Sequence, residues 1–306
     1  MSVNGFTFED LPVPGPLSRL TIGASEIATV IDGPEDGPPV LLIHGLGEHL
    51  GYWTETIPAL AKAGLRVVAP ELPGFGRSSK LDGPFRLSWQ VQQALAVCDA
   101  TLGAGVKPLV VGHSMGGHMA LLMALDAPDR MAGALLLAPA GIERFTGREA
   151  AMLKMASTPE MYAAMTPDLL ENDYRNRLFG VFNDAARARL RERIRFREAP
   201  DFRRYAQSVC WGVVAMLDEP VAGRLAREGI SDDLPIELII PEDDRLIPNR
   251  ILHRSLTIND IIAETEKLLP HAKVHRVAEV GHMVQLERPE VVNPAIIEMA
   301  FAVAQS

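Results

Sequence analysis

Cysteine is scarce in this chain. Cys98 and Cys210 are its two cysteines, far apart and each inside an apolar pattern of helical spacing. No disulfide framework is therefore expected, and the pair reads as buried free thiols of a reducing compartment. Positive charge is in deficit: 30 Lys and Arg stand against 39 Asp and Glu, a net charge of −9. That balance argues against a nucleic-acid binder. No apolar run reaches the roughly 20 residues needed to span a bilayer, so no stable membrane insertion is expected. Residues 1–20 hold acidic residues and prolines but no basic-then-apolar run, so no signal peptide is expected. On these absences a cytoplasmic location is expected, and no oligomeric state is set. Metal-ligand spacing is missing too, because His44 and His49 have no cysteine or carboxylate cluster beside them. Gly74 and Gly76 are not followed by the Gly-Lys-Ser/Thr that a phosphate loop requires. Neither a metal nor a cofactor is expected.

What is present is a globular composition, 47% apolar and 23% charged over 306 residues, long enough to bury a large core. Buried-strand patterns fall at 26–31, 40–43, 65–69, 109–111 and 134–138, and again at 236–240 and 273–277. Most are short continuous apolar runs of the kind expected in a parallel sheet covered on both faces. Helical spacing separates them at 53–63, at 88–102 with Ser88 as the cap, at 115–127 and at 258–269, and a last helix runs over 289–304. This alternation predicts a mostly parallel sheet flanked by helices. Between residues 142 and 228 the rhythm changes to helices alone. That stretch holds Met152, Met155, Met161, Met165 and Met216, and ten arginines between Arg175 and Arg204. The methionines are read as packing, with an adaptable acyl pocket as the alternative. The arginines, interspersed with acids, are read first as a solvated, ion-paired helix face, with recognition of an acidic substrate or an anionic surface as the lesser alternative. The expected division is a core of residues 1–140 and 230–306 with an all-helical cap inserted at 141–229. The insertion leaves from the carboxyl edge of the sheet, where ligands of open α/β sheets bind, and so should cover the site.

The sharpest signal is Leu109-Val110-Val111-Gly112-His113-Ser114-Met115-Gly116-Gly117. A buried strand runs into Gly-x-Ser-x-Gly and a helix begins at once, a tight turn that pushes Ser114 out of the sheet. A serine hydroxyl needs a base, and the base needs a carboxylate to orient it. His282, in Val280-Gly281-His282-Met283 after the last strand, is the candidate base. The carboxylate should come from Glu242-Asp243-Asp244, after the strand at 236–240, which leaves three acids in competition. An oxyanion needs two preorganised donors. The Met115 backbone N–H supplies one, and the loop His44-Gly45-Leu46-Gly47 supplies the other through the Leu46 N–H. His44 and His113 are assigned structural hydrogen bonds around the site.

Taken together, His44-Gly45-Leu46-Gly47, Pro73-Gly74-Phe75-Gly76-Arg77-Ser78, Gly112-His113-Ser114-Met115-Gly116-Gly117, Asp244 with Pro248, and Gly281-His282 resemble the α/β-hydrolase superfamily. The resemblance covers nearly the whole chain outside the cap. It implies an α/β-hydrolase fold, a Ser114–His282–Asp244 triad and an acyl-enzyme. It also favours Asp244 over Asp243, because the family acid commonly precedes apolar-apolar-Pro. His44-Gly45-Leu46-Gly47-Glu48-His49 with Gly51 is similar to the monoacylglycerol lipase branch. Pro-Gly-Phe-Gly is closer to esterases and carbon–carbon hydrolases. Glu48 and Met283 depart from the carbon–carbon hydrolase pattern, and Ser114 departs from the aspartate nucleophile of dehalogenases and epoxide hydrolases. The expected function is hydrolysis of a small-molecule carboxylic ester. The alternatives are a carbon–carbon bond hydrolase, a ligand-binding receptor or a perhydrolase on the same fold.

Overall fold

The computed structural model describes residues 5–305. Residues 1–4, the start of the expected core and of the stretch expected to lack a signal peptide, lie outside the described residues. The chain opens with β1 (Leu17–Ile22) and β2 (Ser25–Asp32), paired antiparallel as a hairpin. Then follow β3 (Pro39–Ile43), α1 (Ile57–Lys62), β4 (Arg66–Pro70), α2 (Leu87–Leu102), β5 (Leu109–His113), α3 (Met115–Asp126) and β6 (Gly133–Leu137). Six helices come next: α4 (Gly147–Ala156), α5 (Pro159–Ala163), α6 (Pro167–Asp173), α7 (Asp184–Arg195), α8 (Phe202–Asp218) and α9 (Ala222–Glu228). The chain returns through β7 (Ile236–Pro241), α10 (Ile258–Leu268) and β8 (Lys273–Val277), and ends in α11 (Val284–Glu287) and α12 (Pro289–Val303).

All eight strands form one sheet in the order β1-β2-β4-β3-β5-β6-β7-β8. From β4 to β8 every pairing is parallel, and β2 joins β4 antiparallel. Parallel neighbours require a crossover, and a helix supplies each one. The strand period of two sends alternate residues to opposite faces. Leu41, Val110, Leu136 and Leu238 pack with α2, α3 and α10 on one face. Leu42, Val111, Leu135 and Ile239 pack with α1 and α12 on the other. Helix α3 is buried all round from Met115 to Ala124, which explains its lack of a polar stripe.

Several boundaries differ from the sequence reading. Strand β1 was not anticipated, because it lies at the sheet edge with every other residue exposed and carries only a weak apolar signal. Ser88 does not cap α2. The helix starts at Leu87 behind Arg86, and the Ser88 backbone N–H donates to Glu219 Oε2 at 3.1 Å. The helix expected from residue 53 starts at Ile57. Trp53 instead ends a 3-10 turn whose Gly51 N–H donates to His49 Nδ1. Between β6 and β7 the described residues form no strand, as the loss of alternation predicts. The methionines there divide. Met165 and Met216 pack against buried clusters, but Met152, Met155 and Met161 are 51%, 79% and 63% exposed and so are not packing residues.

Candidate active site

Strand β5 is buried along its full length between β3 and β6, so its C-terminal end is held from both sides. Ser114 follows at φ 51°, ψ −112°, the left-handed side of the map that a non-glycine residue enters only under constraint. The constraint is visible. Ser114 N–H donates to Leu137 O, and Ser114 O accepts from His118 N–H and Ala140 N–H, all within 3.1 Å. The flanking glycines make the turn possible. A Cβ on Gly112 would strike the Gly116 carbonyl, and one on Gly116 would strike the Ile43 carbonyl.

The loop after β7 separates the three competing acids. Asp243 is exposed and Glu242 pairs with Arg276 at 2.6 Å. Asp244 is buried, and its Oδ1 accepts from the backbone N–H groups of Leu246 and Ile247 at 2.8 and 3.0 Å. Its Oδ2 lies 2.7 Å from His282 Nδ1. With Nδ1 held by the carboxylate, Nε2 is the free face of the ring. That atom is buried and has no hydrogen-bond partner among the described residues. His282 and Ser114 line the same cavity.

Leu46 lines this cavity as well. Met115 is the first residue of α3, so its N–H has no intrahelical partner and sits at the positive end of the helix. The structure thus brings Ser114, His282, Asp244, Leu46 and Met115 to the carboxyl edge of the sheet. His44 plays the structural part expected of it: Nδ1–H donates to Gly45 O and Nε2 accepts from Leu72 N–H. Among the described residues no group of side chains could hold a metal ion.

Sequence reasoning missed the charge pair behind the site. Glu48 served only as a mark of subfamily, yet it is 3% exposed and its Oε1 stands 2.7 Å from Nδ1 of the fully buried His113. Glu48 Oε2 accepts the Gly45 N–H at 2.8 Å. His113 Nε2–H in turn donates to the backbone carbonyl of His282 at 2.9 Å. One buried pair therefore ties the Leu46 loop to the His282 loop. Burial alone would lower the His113 pKa, but the facing carboxylate outweighs it and leaves the imidazole raised above its ordinary value. Burial would likewise raise Glu48, and the His113 charge instead holds it below the usual carboxylate range. The available signal was a carboxylate in the tight loop after β3 and a histidine at the end of neighbouring β5.

The cavity measures about 800 Å³, within the range of small-molecule sites. Ser114, Leu46 and His282 are among its lining residues. Much of its wall comes from the helical stretch, through residues such as Leu153, Met161, Tyr174 and Val213. The arginine-rich part of that stretch is not the uniform solvated face expected. Arg175, Arg177, Arg187 and Arg195 are exposed and ion-paired, whereas Arg189 is buried and Arg193 lines the cavity.

A family model of the alpha/beta hydrolase fold matches residues 38–289. The chain belongs to the alpha/beta hydrolase fold family. Epoxide hydrolase B of Mycobacterium tuberculosis is 42% identical over 118 residues, which cover 37% of this chain and 33% of that protein. The 2-hydroxymuconate semialdehyde hydrolase of Pseudomonas sp. strain CF600 is 33% identical over 123 residues, 39% of this chain and 42% of that one. The matched region spans less than half the length of either curated relative. Among solved structures, a probable hydrolytic enzyme from Pseudomonas aeruginosa PAO1 superposes with a TM-score of 0.80 at 20% identity, covering 96% of this chain and 97% of that one. This chain shares the alpha/beta hydrolase fold with these proteins. No helix among the described residues is long and apolar enough to cross a membrane.

Proposed function

We propose that this protein is a serine hydrolase that cleaves carboxylic esters of small molecules through an acyl-enzyme. Ser114 Oγ attacks the ester carbonyl while its proton passes to His282 Nε2. Asp244 holds the ring by Nδ1–H and stabilises the imidazolium that forms. The Met115 and Leu46 N–H groups receive the oxyanion. Collapse expels the alcohol, which takes the proton from His282. A water activated by the same nitrogen then releases the acid. Residues 141–229 serve as the cap over a core of residues 1–140 and 230–306. The buried free thiols of Cys98 and Cys210 fit a cytoplasmic setting.

The observation that carries this reading is the His282 ring. Its Nδ1 is fixed 2.7 Å from a buried carboxylate, its Nε2 is unpartnered among the described residues, and the residue lines the same cavity as Ser114, which sits on a strained turn. Labelling by a fluorophosphonate probe and turnover of p-nitrophenyl esters test it. Both are expected in the wild type and neither in Ser114→Ala; undiminished labelling of that variant rules out Ser114 as the nucleophile. A second reading, hydrolysis of a carbon–carbon bond by the same residues, draws on the similarity to the semialdehyde hydrolase. A panel of esters against vinylogous diketones separates the two.

A further inference from the structure

Five side chains of fixed charge type line the cavity: Glu48, Glu143, Arg144, Asp173 and Arg193. Four are matched. Glu48 faces His113 at 2.7 Å, Glu143 faces His253 at 2.5 Å, Arg144 pairs with Glu264 at 2.8 Å and Asp173 pairs with Arg177 at 2.8 Å. Arg193 has no carboxylate within ion-pair distance among the described residues. His118, also in the lining, adds no charge at neutral pH, because burial pushes it down to about 4. Among the described residues, a protein of net charge −9 thus keeps one unmatched cation in this cavity.

That cation is held in place. The guanidinium lies 4.1 Å from the ring centre of Tyr162 and 5.5 Å from those of Phe196 and Tyr205. One nitrogen, Nη1, donates to Tyr205 Oη at 3.0 Å, and Tyr205 O–H donates to the Gly47 carbonyl at 2.6 Å. A Cβ on Gly47 would come within 3.1 Å of the Tyr205 hydroxyl and 3.6 Å of the Tyr162 hydroxyl. Arg193 is therefore one tyrosine away from the loop that carries Leu46. Aromatic faces hold a guanidinium without consuming its donors. The single donation to Tyr205 leaves further N–H groups for a ligand, and the planar fork of arginine matches a carboxylate.

We infer that Arg193 is a specificity determinant that selects substrates carrying a free carboxylate besides the scissile ester, such as monoesters of dicarboxylic acids. The inference rests on the ester-hydrolase reading, and it names the substrate class of that same site. Among the described residues no other cavity-lining cation is unmatched, so the carboxylate has one docking point. The scissile carbonyl is then placed over Ser114 by the length of chain between the two groups.

The test compares 4-nitrophenyl hemiglutarate with its neutral methyl diester. The wild type is expected to favour the anionic ester in kcat/KM by at least tenfold. Arg193→Met, which keeps length and apolar volume, is expected to abolish that preference mainly through KM, and Arg193→Lys to retain part of it. Binding of monomethyl glutarate to the Ser114→Ala protein, measured by calorimetry, reads the same docking point without turnover and is expected to be lost in Ser114→Ala/Arg193→Met. A wild type that favours the neutral ester overturns the inference, as does equal loss on both esters in Arg193→Met. Lost turnover of both esters with Arg193-dependent binding intact would overturn the ester reading and leave the carboxylate site standing. Absence of binding to Ser114→Ala, with turnover of the neutral ester in the wild type, would do the reverse.

Discussion

The Glu48–His113 pair makes a quantitative demand on the protein. Replacing His113 by Phe keeps the ring volume but removes the cation, so a carboxylate 3% exposed faces an apolar ring. It also removes the donor to the His282 carbonyl. Breaking a buried ion pair by deleting one partner costs about 3–5 kcal/mol. The unfolding entropy near 60 °C, at about 2.1 cal/mol/K per residue, gives about 0.6 kcal/mol per degree for a chain of this length, so Tm should fall by about 5–8 °C. The penalty should depend on pH with a definite sign. His113 is raised above 6.5 in the fold, so its contribution is fully present below 6.5 and is lost as pH rises through the folded value. Glu48 is lowered below 4.5, so its contribution is present above 4.5 and is lost as pH falls through its folded value. The window between those values is where the wild type gains most from the pair. Thermal unfolding of wild type and His113→Phe near pH 6 and near pH 9 checks this, with the larger gap expected near pH 6. In His113→Phe/Glu48→Gln the neutral amide still accepts from Gly45 N–H but no longer buries a charge. The double-mutant cycle should therefore return a coupling of at least about 1 kcal/mol. A gap that is the same at both pH values, or a coupling near zero, would refute the pair as a stabilising charge interaction.

Asp244→Asn should fold normally, because an amide oxygen still accepts from Leu246 and Ile247. It should lose about 10³- to 10⁴-fold in kcat, because the ring is no longer held in the tautomer that leaves Nε2 free to take a proton; steady-state kinetics on a p-nitrophenyl ester decide it, and a loss below tenfold would point to another acid. Glu287 accepts from the N–H groups of Gly180, Val181 and Gly281, and burial still raises its pKa from 4.5 to about 7. Its contribution is therefore complete below 4.5 and lost as pH rises through about 7. Glu287→Gln should flatten Tm against pH between those values, and an unchanged slope would show that Glu287 is not the group responsible.

The fold was legible because its strongest elements are buried on both faces. Val40-Leu41-Leu42-Ile43 and Leu109-Val110-Val111 leave no polar alternation to read otherwise, and they became the central β3 and β5. The elbow was legible because glycine at 112 and 116 is demanded by backbone contact rather than by preference. Edge strand β1 was not, since half of each residue pair there faces solvent and its stability comes from pairing with β2. Asp244 was favoured only by resemblance, through the Leu-Ile-Pro that follows it; the residues themselves left three consecutive carboxylates alike, and the fold turns one of them toward His282. Glu48 and Arg193 were hidden for a shared reason. A charged residue in a sequence reads as surface, and only a partner distant in the chain, His113 for one and Tyr205 for the other, shows that it is held inside.

The helical wall of the cavity is not held evenly. At one side Tyr205 O–H bonds Gly47 O, and at another Glu287 fixes Gly180 and Val181 against Gly281. These contacts join α8 and the stretch before α7 to the two loops on which catalysis would depend. Moving either would disturb the Leu46 or His282 loop. Helices α4 and α5 have no buried residue, carry the exposed methionines, and still line the cavity through Leu153 and Met161. Elements with little buried apolar contact open at low free energy. On the proposed ester reaction, substrate passage that leaves the reacting groups in place is expected to run past α4 and α5. The fixed side, where Arg193 sits, is then free to serve as a rigid docking point.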